Sequence, residues 1–248
     1  MALKNNTWKL NQWYDQSVAG NVSYVGAGAL FAWGDNSGDS AGSLGQNNQT
    51  EYSSPVQIPG TTWAQVSARG DTTSVTATKT DGTLWAWGQN NHGQLGQNNT
   101  TLRSSPVQVG SDTTWKYDDR FALGGLKVSK FAIKTDGTLW AWGSQSANGV
   151  LGLNQYNVSH SSPAQIPGTT WSTVEGGTAN YMAGATKTDG TAWVWGMNGY
   201  GAMGVNQPGN YRRSSPVQIP GTTWSRIVPS DQFYTTMGVK TDGTLWAM

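Results

Sequence analysis

Cysteine is absent from the 248-residue chain, which excludes a disulfide framework and a thiolate metal site. Charge is scarce. Asp, Glu, Lys and Arg make up 12% of the residues and balance to a net +1, so no polyanion held by bulk electrostatics, nucleic acid included, is expected as a partner. The only two histidines, His92 and His160, stand in dissimilar segments with no ligand spacing. No run of about 18 apolar residues is present to insert into a membrane. The start, Met1-Ala-Leu-Lys-Asn-Asn-Thr-Trp8, lacks the apolar core of a signal peptide. Abundant instead are Gly, Ser, Thr, Asn and Gln, together with fourteen Trp. Polarity on that scale suits disorder, but the aromatics and a strict internal repeat require a folded β protein.

The repeat centres on Thr78-Lys-Thr-Asp-Gly-Thr-Leu-Trp-Ala-Trp-Gly88. Asp81-Gly82 is a hairpin signal, expected to form a type I′ turn with positive φ at both central residues. Leu84-Trp85-Ala86-Trp87 then alternates, which puts both tryptophans on one face of the strand that follows. Copies begin at Lys134 and Lys187, a degenerate copy runs from Val25 to Gly34, and a clipped copy ends the chain at Met248. Each unit opens on a tryptophan: Trp8, Trp63, Trp115, Trp171 and Trp224, at intervals of 52 to 56 residues. A period near 50 residues made of short strands points to propeller blades.

Within the second unit, strand A starts at Trp63, strand B covers Thr73 to Thr78, strand C covers Leu84 to Trp87, and strand D covers Ser105 to Val109. The proline of Ser-Pro-Val-Gln suits an outer edge, where a missing ladder donor matters least. The predicted fold is therefore all-β, a β-propeller of five four-stranded blades in one domain, with blades at 8–58, 63–109, 115–166, 171–219 and 224–248. The fifth unit stops at the end of strand C. Residues 1–8 align with Val56-Gln-Ile-Pro-Gly-Thr-Thr-Trp63, so residues 1–3 are expected to complete the last blade and close the ring, which leaves fewer raw edges. The borrowed strand is about three residues long, so a ring shared between chains or a looser fifth blade fits the same spacing.

The segment Trp85-Ala-Trp-Gly-Gln-Asn-Asn-His-Gly-Gln-Leu-Gly96, and its counterpart Trp193 to Gly204, resemble the repeat of the regulator-of-chromosome-condensation family. The resemblance covers nearly the whole chain and implies a propeller of four-stranded blades. The well-known members have seven blades, so five units depart from the family. Some members are exchange factors for a small GTPase and carry Gly-x-x-His in the inner part of each blade. The matching places here, Gly70-Asp-Thr-Thr, Gly177-Thr-Ala-Asn and Ser230-Asp-Gln-Phe, contain no histidine. The Gly-Trp-Arg-His-Thr motif of a photoreceptor branch is also missing. The Thr-Asp-Gly-Thr-Leu-Trp-Ala-Trp-Gly wording is similar to that of bacterial and marine phage proteins. Fold does not carry function with it.

In an antiparallel blade the A–B and C–D links lie on one side of the ring, and the B–C and D–A links on the other. The second side repeats almost verbatim and reads as scaffold. The first varies from blade to blade, and binding concentrates in loops on a rigid frame. The candidate partner-binding residues are therefore Arg69, Asp71, Asp118, Asp119, Arg120, Phe121, Tyr156, His160, Tyr211, Arg212, Arg213, Phe233 and Tyr234. The best clusters are Asp118 to Phe121 and Tyr211 to Arg213, because aromatics and Arg are favoured anchors.

Catalysis is not expected. Asp81, Asp136, Asp189 and Asp242 fall one per blade in turns and read as turn formers. Asp35 to Asp39 lacks the later glycine and bidentate glutamate of a calcium loop. No cofactor and no metal is expected. The functional expectation is a non-enzymatic binding and structural module, and more specifically a phage virion component: a capsid decoration protein, or a tail or host-adsorption protein. Expected partners are proteins, other virion proteins first, with a host-surface glycan as a second class. The expected location is the virion, with the cytoplasm as the other choice. The alternatives are a soluble regulator of this repeat type and a carbohydrate-binding lectin.

Overall fold

The computed structural model describes residues 28–37, 42–68, 74–117, 121–145, 148–177, 181–207, 209–230 and 235–248. Every regular element among them is a β-strand, and the strands form five antiparallel sheets. The first sheet pairs β1 (Phe31–Gly34) with β2 (Tyr52–Gln57). The second has β3 (Trp63–Ser67), β4 (Ser74–Lys79), β5 (Leu84–Gly88) and β6 (Arg103–Gln108) in chain order. The third repeats that order with β7 (Leu123–Gly125), β8 (Ser129–Ile133), β9 (Leu139–Gly143) and β10 (His160–Gln165). The fourth has β11 (Trp171–Gly176), β12 (Met182–Lys187), β13 (Ala192–Asn198) and β14 (Tyr211–Ile219). The fifth has β15 (Trp224–Ser230), β16 (Thr235–Lys240) and β17 (Leu245–Ala247). These are the blades of a propeller.

The core lies between successive blades. Leu84 and Ala86 of β5 face forward and pack with Trp115, Leu123 and Ala132 of the third unit. Trp87 faces backward, and its indole N–H donates to the Ser43 carbonyl of the first unit (2.9 Å). Trp142 reaches Gln94 O (3.0 Å) and Trp195 reaches Val150 O (2.7 Å) in the same way. The first tryptophan of each pair is held within its own blade. Trp85 lies edge-on to Trp63 at 6.0 Å, and the Lys79 ammonium sits 4.0 Å from the Trp85 ring centre and 4.7 Å from that of Trp63. The same cation–π cluster recurs at Lys134, Lys187 and Lys240.

Three expectations need correction or completion. The Asp-Gly turn is not type I′. Only Gly82 has positive φ (+77°), and Asp81 does not. Gly82 N–H donates to Lys79 O and Lys79 N–H to Thr83 O (both 3.0 Å), the pattern of a type I turn followed by a left-handed residue in a bulge. Asp81 stabilises it by accepting from Thr83 N (2.9 Å) and Thr83 Oγ1 (2.6 Å). A Cβ on Gly82 would also lie 2.1 Å from Thr113 O of the next link, so glycine is required twice over. Second, the third blade does not begin its inner strand at Trp115. That residue makes only a bridge to Lys134, and β7 starts at Leu123 because the longer link after Lys116 intervenes. Third, residues 1–3 and the first two strands of the first unit lie outside the described residues. Among the described residues the fifth sheet has three strands, and the strand expected to complete it falls within residues 1–3.

Candidate functional site

The variable loops are anchored from inside. In the second blade Asn90 is fully buried. Its Nδ2 donates to Asn99 O and Thr101 O (both 3.0 Å), while its Oδ1 accepts from Leu95 N (2.9 Å). Asn36 and Asn198 repeat this in the first and fourth blades. In the third blade Gln145 takes the role, donating to Gln155 O and accepting from Leu151 N. One buried amide therefore ties both ends of each C–D loop, and the Leu or Met that follows plugs the core. This is the physical content of the Gly-x-Asn-x-x-Gly-x-Leu-Gly pattern.

On these anchored loops the third and fourth blades form an open cleft of about 530 Å³, lined by Tyr156, Asn157, Met197, Asn210, Tyr211 and Arg212. Tyr156 Oη donates to the Arg212 carbonyl (3.1 Å), which joins the two loops. Arg213 lies over the Tyr211 ring at 4.9 Å and donates to Gln207 Oε1 (3.0 Å). The Tyr211 hydroxyl is buried and has no hydrogen-bond partner among the described residues. His160 Nε2 is 3.1 Å from Gln155 Oε1 in the same third-blade loop. Tyr156, 56 residues from Arg212, thus shares one cleft with the adjacent pair Tyr211 and Arg212, with Arg213 and His160 on its supporting loops. Tyr200 is 80% exposed in the fourth-blade loop. Sequence reasoning passed over it, although an aromatic at a loop tip was the available signal.

Phe121 belongs to a second group. The Arg226 guanidinium lies 4.3 Å from its ring centre and donates through Nε (3.1 Å) and Nη2 (2.7 Å) to Glu175 Oε1. Glu175 is fully buried and Arg226 about a third exposed, so the pair links strand A of the fourth and fifth blades beneath the third-blade link. Arg226 was not anticipated, because a charge inside a strand reads as solvated until its partner blade is known. Lys130 was missed too. Its side chain is buried, Nζ donates to Ser74 O (3.3 Å), and burial lowers its pKa from 10.5 to about 8. Arg69, Asp71, Asp118, Asp119, Arg120, Phe233 and Tyr234 lie outside the described residues.

The turn aspartates stand one per blade, each held by its own Thr. That hydrogen bond is the first cause lowering the pKa of Asp81, Asp136, Asp189 and Asp242. Among the described residues no group of three His, Cys, Asp or Glu is placed to hold a metal. Among them also, no helix is long and apolar enough to cross a membrane.

Residues 81–117 match the model of the regulator of chromosome condensation (RCC1) repeat. The chain is 29% identical over 204 residues to the ultraviolet-B receptor UVR8 of Arabidopsis thaliana, covering 77% of this chain and 42% of the receptor. Among solved structures it is similar to human WBSCR16 (TM-score 0.69, 19% identity, 90% of this chain and 57% of that one). It is also similar to Prp20p of Saccharomyces cerevisiae (TM-score 0.69, 16% identity, 89% and 53%). The chain spans about half the length of these relatives or less.

Proposed function

For a chain that is an RCC1-like repeat β-propeller, we propose the function of a non-enzymatic protein-binding module that recognises its partner with the C–D loop face of the third and fourth blades. The cleft that gathers Tyr156, Tyr211 and Arg212 carries this reading. Tyr and Arg are among the residues that most often anchor interfaces, and here their loops are tied by the buried amides of Gln145 and Asn198 before any partner arrives, which lowers the ordering cost of binding. Propellers of this fold bind proteins elsewhere. Yeast RCC1 (Prp20) is seen bound to Kap60, and binding of Prp20p to Gsp1p and histones is described. At 16–18% identity that likeness supports the mode of use and names no partner for this chain.

The finer form of the proposal places the module in a phage particle, as a capsid decoration or tail component. Its support is compositional: a cysteine-free surface rich in Asn, Thr, Ser and Gly. Two experiments test the two levels. A photo-cross-linking side chain at Tyr156 should capture a protein partner, while the same side chain at Asp136 on the opposite face should not. Equal capture from both faces, or capture from neither, contradicts the proposed surface. Antibody labelling of native particles in the electron microscope should decorate capsid or tail. Unlabelled particles contradict the virion placement and leave the interaction surface standing.

A further inference from the structure

The outer strands of four blades leave the loop face at one shared position. Tyr52, Arg103, His160 and Arg213 each stand just before Ser-Ser-Pro. Each pairs with the glycine of the strand-C Trp-Gly step: Gly34, Gly88, Gly143 and Gly196. Glycine brings no side chain, so nothing directly across the strand covers or neutralises the residue opposite. In the second, third and fourth blades that residue is basic. The loop of the preceding blade fixes its backbone, because the next residue is gripped there: Asn47 N donates to Ser104 O (2.7 Å), Asn98 N to Ser161 O (2.6 Å) and Asn154 N to Ser214 O (2.6 Å). The packing is too close to slide. A Cβ on Gly42, Gly93 or Gly149 would fall 2.6–2.7 Å from the Cα of those serines. Arg103, His160 and Arg213 therefore form a basic row, one residue per blade.

No carboxylate answers this row from its own loops. Residues 89–103, 144–160 and 197–213 contain neither Asp nor Glu. The first-blade loop is the reverse: residues 35–52 carry Asp35, Asp39 and Glu51 and no Lys, Arg or His. Among the described residues, ion pairs join Lys134 to Asp112 and Arg226 to Glu175, and Arg103, Arg212 and Arg213 form none. Those three arginines are exposed. The contacts the row does make orient it without cancelling its charge. Arg213 lies over the Tyr211 ring and donates to Gln207 Oε1, and His160 Nε2 meets Gln155 Oε1. At the fourth blade the row runs into the Tyr156 cleft, where Arg212 adds another cation. In a chain whose charges balance to +1, this excess is local.

We propose that the row from Arg103 through His160 to Arg213, continued by Arg212 into the cleft, is a track for an extended acidic segment of the protein partner; this rests on the loop-face reading above and names the chemistry of what that face takes. Asp and Glu carboxylates match the planar guanidinium bidentately. The acidic first-blade loop repels the same segment and so sets where the track stops. A nucleic acid fits less well. Its backbone carries a charge at every nucleotide, and a row with one basic residue per blade leaves most of those charges unanswered.

The test uses the full chain and fluorescein-labelled octaglutamate, read by anisotropy. Binding should be saturable at about 50 mM NaCl and at least about tenfold weaker at about 500 mM, and octalysine should not bind. Arg103→Gln is the discriminating variant, because Arg103 is exposed on the second blade and lines no part of the cleft. It should weaken binding about three- to fivefold. Arg103, Arg212 and Arg213 all changed to Gln should weaken it about tenfold or more, while Lys240→Gln on the opposite face should leave it unchanged. Absence of saturable binding, or full binding by the triple variant, overturns the proposal. Tighter binding of octathymidylate than of octaglutamate also overturns it, in favour of a nucleic acid. If octaglutamate fails while a cross-linker at Tyr156 still captures a protein, the acidic track falls and the loop face stands. Capture from both faces or from neither removes the loop face itself.

Discussion

At the scale of single residues, the repeated turn shows how little charge this fold needs and how it uses what it has. Asp81, Asp136, Asp189 and Asp242 each accept from a Thr two residues on, which holds their carboxyls below the usual range. A depressed folded pKa means stability that is present above the unfolded value of about 3.9 and lost as pH falls through the folded one. Unfolding monitored by Trp fluorescence should therefore weaken below about pH 4, and a quadruple Asp→Asn variant should lose part of that slope. Lys130 works in the opposite sense. Burial lowers its folded pKa to about 8, so the unfolded chain binds more protons between about 8 and 10.4, and stability should rise with pH across that window. Lys130→Met should flatten the rise, measured as the urea midpoint at pH 7.5 and pH 10. The aspartates were legible as turn formers because Asp and Gly have local preferences. Lys130 was not, since only the arrival of the neighbouring blade buries it.

At the scale of the element, the second tryptophan of strand C links one blade to the loop before it. Trp142 is fully buried and bonded to Gln94 O, so Trp142→Ala should cost about 3–5 kcal/mol. Asn90→Ala should cost about 1–3 kcal/mol by leaving Leu95 N–H and two loop carbonyls without their partner; urea titration measures both. The strands themselves were readable from period-two alternation and the repeated Pro-Val-Gln, and β5 begins at Leu84 as that pattern requires. The turn type was misread because Asp-Gly satisfies two hairpin geometries, and the choice fell to Thr83 and the close approach of Thr113. The late start of β7 was hidden for a similar reason: the length of a link does not say where pairing resumes. In the candidate site, Tyr211 and Arg212 stood out as an anchor cluster. Their meeting with Tyr156 depends on how consecutive C–D loops stack, which is a property of two blades and not of either sequence segment.

At the scale of the whole molecule, equivalent positions of the repeat differ in exposure from one described blade to another. Leu245 is 71% exposed where Leu84 and Leu139 are 0%. In the first blade Trp33 is 60% exposed where Trp87, Trp142 and Trp195 are 0%. A Trp33→Ala variant should therefore change stability by no more than about 0.5 kcal/mol, in contrast to the same change at Trp142. The five-unit count was legible because the opening tryptophans recur at a near-constant interval. The differing exposure of Leu245 and Trp33 was not, because the repeat pattern gives each position the same residue type whatever packs against it.

The measurement that bears most directly on the account is partner affinity across the two faces of the propeller. Once a partner is captured through Tyr156, isothermal calorimetry should compare Tyr156→Ala, Arg212→Ala and Asp136→Ala against the unaltered chain. The account predicts losses of about 1–4 kcal/mol in binding at Tyr156 and Arg212 and none at Asp136. Full affinity in the two loop variants, or a loss at Asp136 that matches theirs, would contradict it.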